Sequence, residues 1–248
     1  MLTLPAVFLV IAFIYASVGF GGGSSYTALL IASGMDYVLV PVIALACNLI
    51  VVTGGVYHYW RSGVIDWKFS LPLIAGSVPA AFLGGMLPVA REQFIVLLSL
   101  SLLVAGVLLV MDRQWPGGRD PQPAGRAGVK LALGILLGGL AGVTGIGGGI
   151  YLAPILHLGK MASARTVAAT ASLFILVNSL AGLGGQLTKL GGVEWPTASH
   201  ALWALPAAVL VGGQLGSRLG AHRLPASPIR RLTGVVILVA VARLWLLP

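Results

Sequence analysis

"YASVGFGGGSSYTALL", residues 15–30, places four glycines within five positions of an otherwise apolar run. A near-copy, "LAGVTGIGGGIYLAPIL", occupies residues 140–156. Glycine costs about 1 kcal/mol relative to alanine in a helix interior. Each run therefore predicts a helix interrupted at its glycines. The surroundings decide whether such an interruption lies in water or inside a membrane.

Those surroundings are apolar. Of 248 residues, 58% are hydrophobic and 8% charged, against about 25% charged in a soluble domain. Leu71–Pro88, Phe94–Met111, Val129–Ile146 and Ile229–Leu247 are nearly free of charge and approach the roughly 20 residues of a membrane-spanning helix. The short alternating segments of a membrane barrel are absent. The expected fold is an all-α polytopic membrane protein. The net charge of +9 sits in short connections, as topology-setting loop charge does. It does not form the basic patch with aromatics that nucleic acid requires. Cys47 is the only cysteine, which excludes an internal disulfide and argues against a metal cluster; no cofactor is expected. The N-terminal run has no basic n-region and reads as a retained first membrane segment.

Self-comparison aligns Gly19-Phe20-Gly21-Gly22-Gly23 with Gly145-Ile146-Gly147-Gly148-Gly149. Asn48 followed by Gly54-Gly55 aligns with Asn178 followed by Gly184-Gly185, and Asp66-Trp67 with Glu194-Trp195. Pro79 with Gly84-Gly85 aligns with Pro206 and Gly212-Gly213. The chain thus divides into a first membrane repeat (1–111), a polar Pro/Gly-rich cytoplasmic linker (112–128) and a second repeat (129–248). The expected segments are Leu2–Val18, Ser24–Ser33, Val38–Tyr57, Leu71–Pro88 and Phe94–Met111. Their counterparts are Val129–Thr144, Ile150–Leu158, Val167–Leu187, Ala198–Gly216 and Ile229–Leu247.

The short second segment of each repeat decides the topology. If both lie on the surface, lysine and arginine divide seven against eight and give no orientation. If each returns the chain to the side where its repeat began, twelve cations share one side. Only Arg91, Lys189 and Arg243 then face the other. That bias is the positive-inside pattern. It inverts the two repeats and puts both termini outside the cytoplasm; whether the short segments cross or re-enter stays open.

Broken backbone is tolerated at membrane depth only where protein or a watery cavity satisfies it. Inverted repeats with breaks at matching positions point to the midplane site of a secondary transporter. A helix restarting after Gly23, with Ser24 and Ser25 suited to capping, offers free N–H groups and a dipole that favour an anion. Glycines allow close approach to the backbone. Ser17 and Thr144 could add hydroxyls, and Asn48 and Asn178 amides. Close helix packing competes as an explanation of these glycines, and explains Gly54-Gly55, Gly84-Gly85, Gly184-Gly185 and Gly212-Gly213 better than a ligand does. A dinucleotide fingerprint lacks its preceding strand and later acid. No charged residue lies mid-segment, so the remaining candidates for charge or coupling are Arg61, Arg165, His58 and His157, near segment ends.

The paired G-x-G-G-G motifs, the following asparagines and "GGVEWPTASHALWALPAAVLVGGQLGSRL" resemble the TauE/SafE family of sulfite exporters from about Phe8 onward. The resemblance implies a bacterial inner-membrane permease for sulfite, organosulfonates or small organic acids. Its motif glycines correspond to Gly19, Gly21, Gly22, Gly23, Gly145, Gly147, Gly148 and Gly149. One departure is Ile150-Tyr151 where the first repeat has Ser24-Ser25. The expected partners are a small anion and the bilayer, with homo-oligomerisation open. The alternatives are an intramembrane enzyme, for which no nucleophile–base pair or metal set is in place, and a non-transporting membrane subunit.

Overall fold

The computed structural model describes residues 3–17, 19–111, 127–190, 200–220, 233–235, 237–239 and 241–242. Most of the linker, the Glu194-Trp195 pair and most of the last expected segment lie outside the described residues. Within them every named element is an α-helix. The order is α1 (Thr3–Ser17), α2 (Gly23–Ala32), α3 (Leu39–Arg61), α4 (Trp67–Met86) and α5 (Arg91–Met111), then α6 (Ala127–Thr144), α7 (Gly149–Leu158), α8 (Ala164–Leu187) and α9 (His200–Gly220).

Both glycine runs interrupt a helix. The chain leaves α1 at Ser17 and re-enters helix at Gly23; it leaves α6 at Thr144 and restarts at Gly149. Gly19, Gly22, Gly145, Gly147 and Gly148 have φ between 77° and 91°, a region that side chains with a Cβ rarely occupy. Five helices, α3, α4, α5, α6 and α8, are long and apolar enough to span a bilayer. The fifteen residues of α1 reach only about 22 Å. The ten-residue α2 and α7 reach about 15 Å, half of a hydrocarbon core about 30 Å thick.

The bundle exposes apolar side chains and buries polar ones within a largely apolar core, unlike a soluble domain. Leu83, Leu136 and Leu180 are more than 60% exposed, whereas Asn48, Thr144, Asn178 and Ser179 are completely buried. Side chains with nothing to gain from water fit a lipid-facing surface. Helix starts are set locally. Asp66 accepts the Phe69 N–H at 3.0 Å to cap α4, and Ser163 accepts the Thr166 N–H at 3.2 Å to cap α8.

Glycine seams fix how the helices run. A methyl at Gly134 would strike the Leu73 backbone, at Gly138 that of Ser77, and at Gly142 that of Ala81. Thus α4 and α6 lie parallel with backbones touching. Gly212 meets Leu9 and Gly216 meets Phe13 in the same way, so α1 and α9 are also parallel. Ser70 on α4 bonds Thr170 on α8 at 3.0 Å, while Gly85 abuts Gly182 and Gly185; these two helices are parallel as well. By contrast, Leu45 lies beside Gly182 while Tyr59 reaches the Ala168–Ser172 end of α8. The central pair α3 and α8 is therefore antiparallel. These directions gather Arg61, Lys68, Lys130, Lys160, Arg165 and Arg218 at one end of the bundle and Arg91 and Lys189 at the other. Lys130 is buried there with its ammonium 4.7 Å from the centre of the Phe69 ring, a cation–π contact.

Candidate functional site

The two breaks meet in the middle of the bundle, around Asn48. Its Nδ2 donates to the Ile146 carbonyl in the second break at 3.1 Å. A Cβ on Gly21 would lie 2.5 Å from Asn48 Oδ1, and one on Gly147 would lie 2.8 Å from Asn48 Nδ2 and 3.1 Å from Ser179 Oγ. A Cβ on Gly23 would come within 2.6 Å of the Ile146 carbonyl. The starts of α2 and α7 thus converge, each carrying the equivalent of roughly half a positive charge. A side chain from the other half of the sequence also latches the first break: Ser172 Oγ donates to the Gly19 carbonyl at 2.7 Å.

Donors without acceptors collect at this junction. Among the described residues none accepts from the backbone N–H groups of Gly23 and Ser24, or from those of Gly147, Gly148, Gly149 and Ile150. The Nδ2 of Asn178 and the Oγ of Ser179 are also buried donors without a partner, and the Oδ1 atoms of Asn48 and Asn178 are buried acceptors without one. A buried group left unpaired costs about 1–3 kcal/mol, so such a concentration calls for a functional reason. Beside those two acceptors, most of the unpaired groups are neutral N–H and O–H donors, reinforced by two helix dipoles. That chemistry suits an oxyanion.

The expected site residues fare unevenly. Gly19, Gly21, Gly22, Gly23, Gly145, Gly147, Gly148 and Gly149 all lie buried in the breaks or at the helix starts that follow them, and Asn48 packs against Gly21, Gly23 and Gly147. Asn178 is buried on α8 next to Ser179. The capping expectation for Ser24 and Ser25 is corrected: left-handed Gly22 occupies the N-cap with no side-chain cap bond. The two serines instead bond the Tyr15 hydroxyl at 3.2 and 2.7 Å, in the first turn of α2. Thr144 and Ser17 donate to the Leu140 and Ile14 carbonyls of their own helices, each at 2.6 Å, so neither hydroxyl proton points at a ligand. Arg61 donates to the Tyr57 hydroxyl at 3.3 Å on the exposed surface and does not reach inward. Arg165 is exposed but interacts electrostatically with Tyr59, whose hydroxyl approaches Gly19. His58 is exposed and His157 half-buried, both toward the cation-rich end.

Two residues that sequence reading passed over line a cavity of about 340 Å³ at the opposite end. They are Gln186 and Lys189, with Tyr37, Pro41, Pro88 and Val143 around them. The Gln186 amide donates to the Gly142 and Val143 carbonyls at 2.7 and 3.3 Å, holding the end of α6 just before the second break. Lys189 Nζ donates to the Leu87 carbonyl at 3.1 Å. Desolvation holds its ammonium below the ordinary lysine pKa. A second cavity, lined by Ala16, Gly19, Gly55, Ser172 and Ser217, measures only about 10 Å³, the lower limit for one water.

A multi-pass helical bundle with paired helix breaks at its centre defines a class, the membrane transporters. The chain belongs to the sulfite exporter TauE/SafE family, whose model matches residues 4–244. It is 30% identical over 241 residues to "Probable membrane transporter protein y4hK" of Sinorhizobium fredii, covering 96% of this chain and 95% of that one. It is 26% identical over 242 residues to "Probable membrane transporter protein YjnA" of Bacillus subtilis, with 90% and 91% covered. A second Bacillus subtilis relative, "Probable membrane transporter protein YunE", is 24% identical over 230 residues, with 82% and 81% covered. No solved structure matches the chain.

Proposed function

We propose that the chain is a secondary transporter, not an enzyme, that moves a small oxyanion across the bacterial inner membrane by alternating access. Sulfite, an organosulfonate or a small organic acid is the expected substrate class. The observation carrying this reading is the set of unpaired N–H, amide and hydroxyl groups where the starts of α2 and α7 converge. They would ligand the oxyanion from both breaks, with Asn178 and Ser179 completing its shell.

The proposed architecture is a pair of inverted repeats of about 1–111 and 129–248. Support comes from exchange symmetry in the packing: α4 with α6 mirrors α9 with α1, and α2 with α3 mirrors α7 with α8. Helices α3 and α8 occupy matching places in the two repeats yet run antiparallel, as a two-fold axis in the membrane plane requires. In this reading α1 and α2 form a re-entrant pair, as do α6 and α7, each returning the chain to its starting side. The end rich in lysine and arginine then faces the cytoplasm, which puts the N-terminus outside.

Purified protein in liposomes, offered sulfite, thiosulfate, sulfonates, sulfate and short carboxylates, tests the function. Flux of at least one anion, with thermal stabilisation by the same anion, is the expected result. A ligand at a hundred times its dissociation constant stabilises by about 2.7 kcal/mol, so a melting assay registers it. The reading falls if no member of the panel binds or moves.

A further inference from the structure

We infer that the cavity at the Lys189 end is the open outer vestibule of the anion path, with Lys189 as the first ligand an arriving oxyanion meets. This rests on the transport reading and adds to it a specific cationic site and a conformational state.

Three observations converge. The first is a comparison of the two cavities. Val143, Gln186, Pro41 and Val89 line the large one; Ala16, Gly55, Ser172 and Ser217 line the small one. Each pair, taken in that order, falls within one residue of the same place in the two aligned repeats. The cavities are therefore counterparts at opposite mouths, one open at about 340 Å³ and one collapsed to about 10 Å³. A path open at one mouth and shut at the other is a single state of an alternating cycle.

The second observation is the lysine's placement. Loop cations cluster on the cytoplasmic side, and among the described residues only Arg91 and Lys189 sit at the other end. A lysine there is not explained by topology. The aligned position in the first repeat is Tyr59, so a cation at this repeat position belongs to one mouth only; the cation beside Tyr59, Arg165, comes from α8. The third is its chemistry. The ammonium carries three donors, of which one is committed, to the Leu87 carbonyl. Among the described residues no carboxylate pairs with it. An oxyanion in the vestibule would supply the missing charge. It would also lie next to Gln186, whose amide holds the last carbonyls of α6.

The test uses the full chain in phosphatidylcholine vesicles, so that no anionic headgroup competes. Sulfite and methanesulfonate flux is measured from each face for wild type, Lys189→Gln and Lys189→Arg. Lys189→Gln should raise the half-saturating concentration at least tenfold from the outer face, leave the cytoplasmic face within about twofold, and be rescued by Lys189→Arg. A second readout needs no transport. Val89→Cys in a Cys47→Ala background is labelled with anionic sulfonatoethyl and cationic trimethylammonioethyl methanethiosulfonates. The anionic preference should fall at least fivefold when Lys189→Gln is added. Normal flux with unchanged half-saturation and unchanged labelling preference overturns the vestibule and spares the transporter. No flux in wild type, with the labelling preference present and lysine-dependent, does the reverse.

Discussion

At the first break, Tyr15 ties Ser24 and Ser25 to the end of α1, and Ser172 latches the Gly19 carbonyl from across the bundle. At the second, the matching first-turn residues are Ile150 and Tyr151, a methyl at Gly149 would run into Ile175, and Asn48 is the polar strut. The backbones share left-handed glycines at two corresponding places, Gly19 with Gly145 and Gly22 with Gly148, while Gly147 is left-handed and its counterpart Gly21 is not. Their neighbourhoods differ more. The first break borders the cavity of about 10 Å³ and Val143, just before the second, lines the one of about 340 Å³; under the vestibule proposal, much of the difference reflects which gate is shut. The broken backbone is the common element; the side chains around it set the asymmetry.

Removing the left-handed glycines should have the largest effect. Leucine at Gly22 or Gly148 forces a φ near 91° or 80° onto a residue with a Cβ, costing roughly 1–2 kcal/mol, and collides with Tyr26 or Phe174. Each of Gly22→Leu and Gly148→Leu should cut anion flux at least a hundredfold. Intact flux in both would refute the two-break site, and intact flux in one would show that the breaks are not equal partners.

The asparagines separate structural from ligand-directed roles. Asn48→Leu strands the Ile146 carbonyl and should lower stability by about 1–3 kcal/mol. Asn178→Leu breaks no bond found here and should leave the melting temperature unchanged or higher, while both variants lose flux at least tenfold. Equal destabilisation by the two would erase this distinction. Ser172→Ala removes the latch on Gly19 at a cost of about 1 kcal/mol. It should open the small cavity, read as several-fold faster labelling of Gly55→Cys from the cytoplasmic side in a Cys47→Ala background. An unchanged rate would mean the latch does not hold that gate. Ser25→Ala should matter least, because Tyr15 keeps Ser24: flux within about twofold and a small fall in melting temperature.

Much of this architecture is legible in the residues. Apolar length and glycine clustering locate both breaks and all nine helices described, because these are local properties of the chain. What escapes is the contact made across sequence. Asn48 meets Ile146 ninety-eight positions away, and Lys189 meets Leu87 a hundred and two away. Lys189 reads as an ordinary interfacial charge until the turn between α4 and α5 closes over it. Ser24 and Ser25 look like caps because serine so often is one, yet Gly22 reaches the capping conformation first. Thr144 looks free until its helix is built, when its hydroxyl donates to the carbonyl four residues back.

The parallel seams carry a consequence for how this molecule is put together. Each joins a helix from before the linker to one from after it, backbone against backbone, through Gly138 and Gly142 in one case and Gly212 and Gly216 in the other. The most extensive helix packing in the described bundle, α4 with α6 and α1 with α9, thus runs between the segments on either side of the linker. Severed at the linker, the two pieces would have to find each other during insertion before either matured. Under the alternating-access proposal, the pieces that shift would be braids of early and late sequence, α4 moving with α6 and α1 with α9.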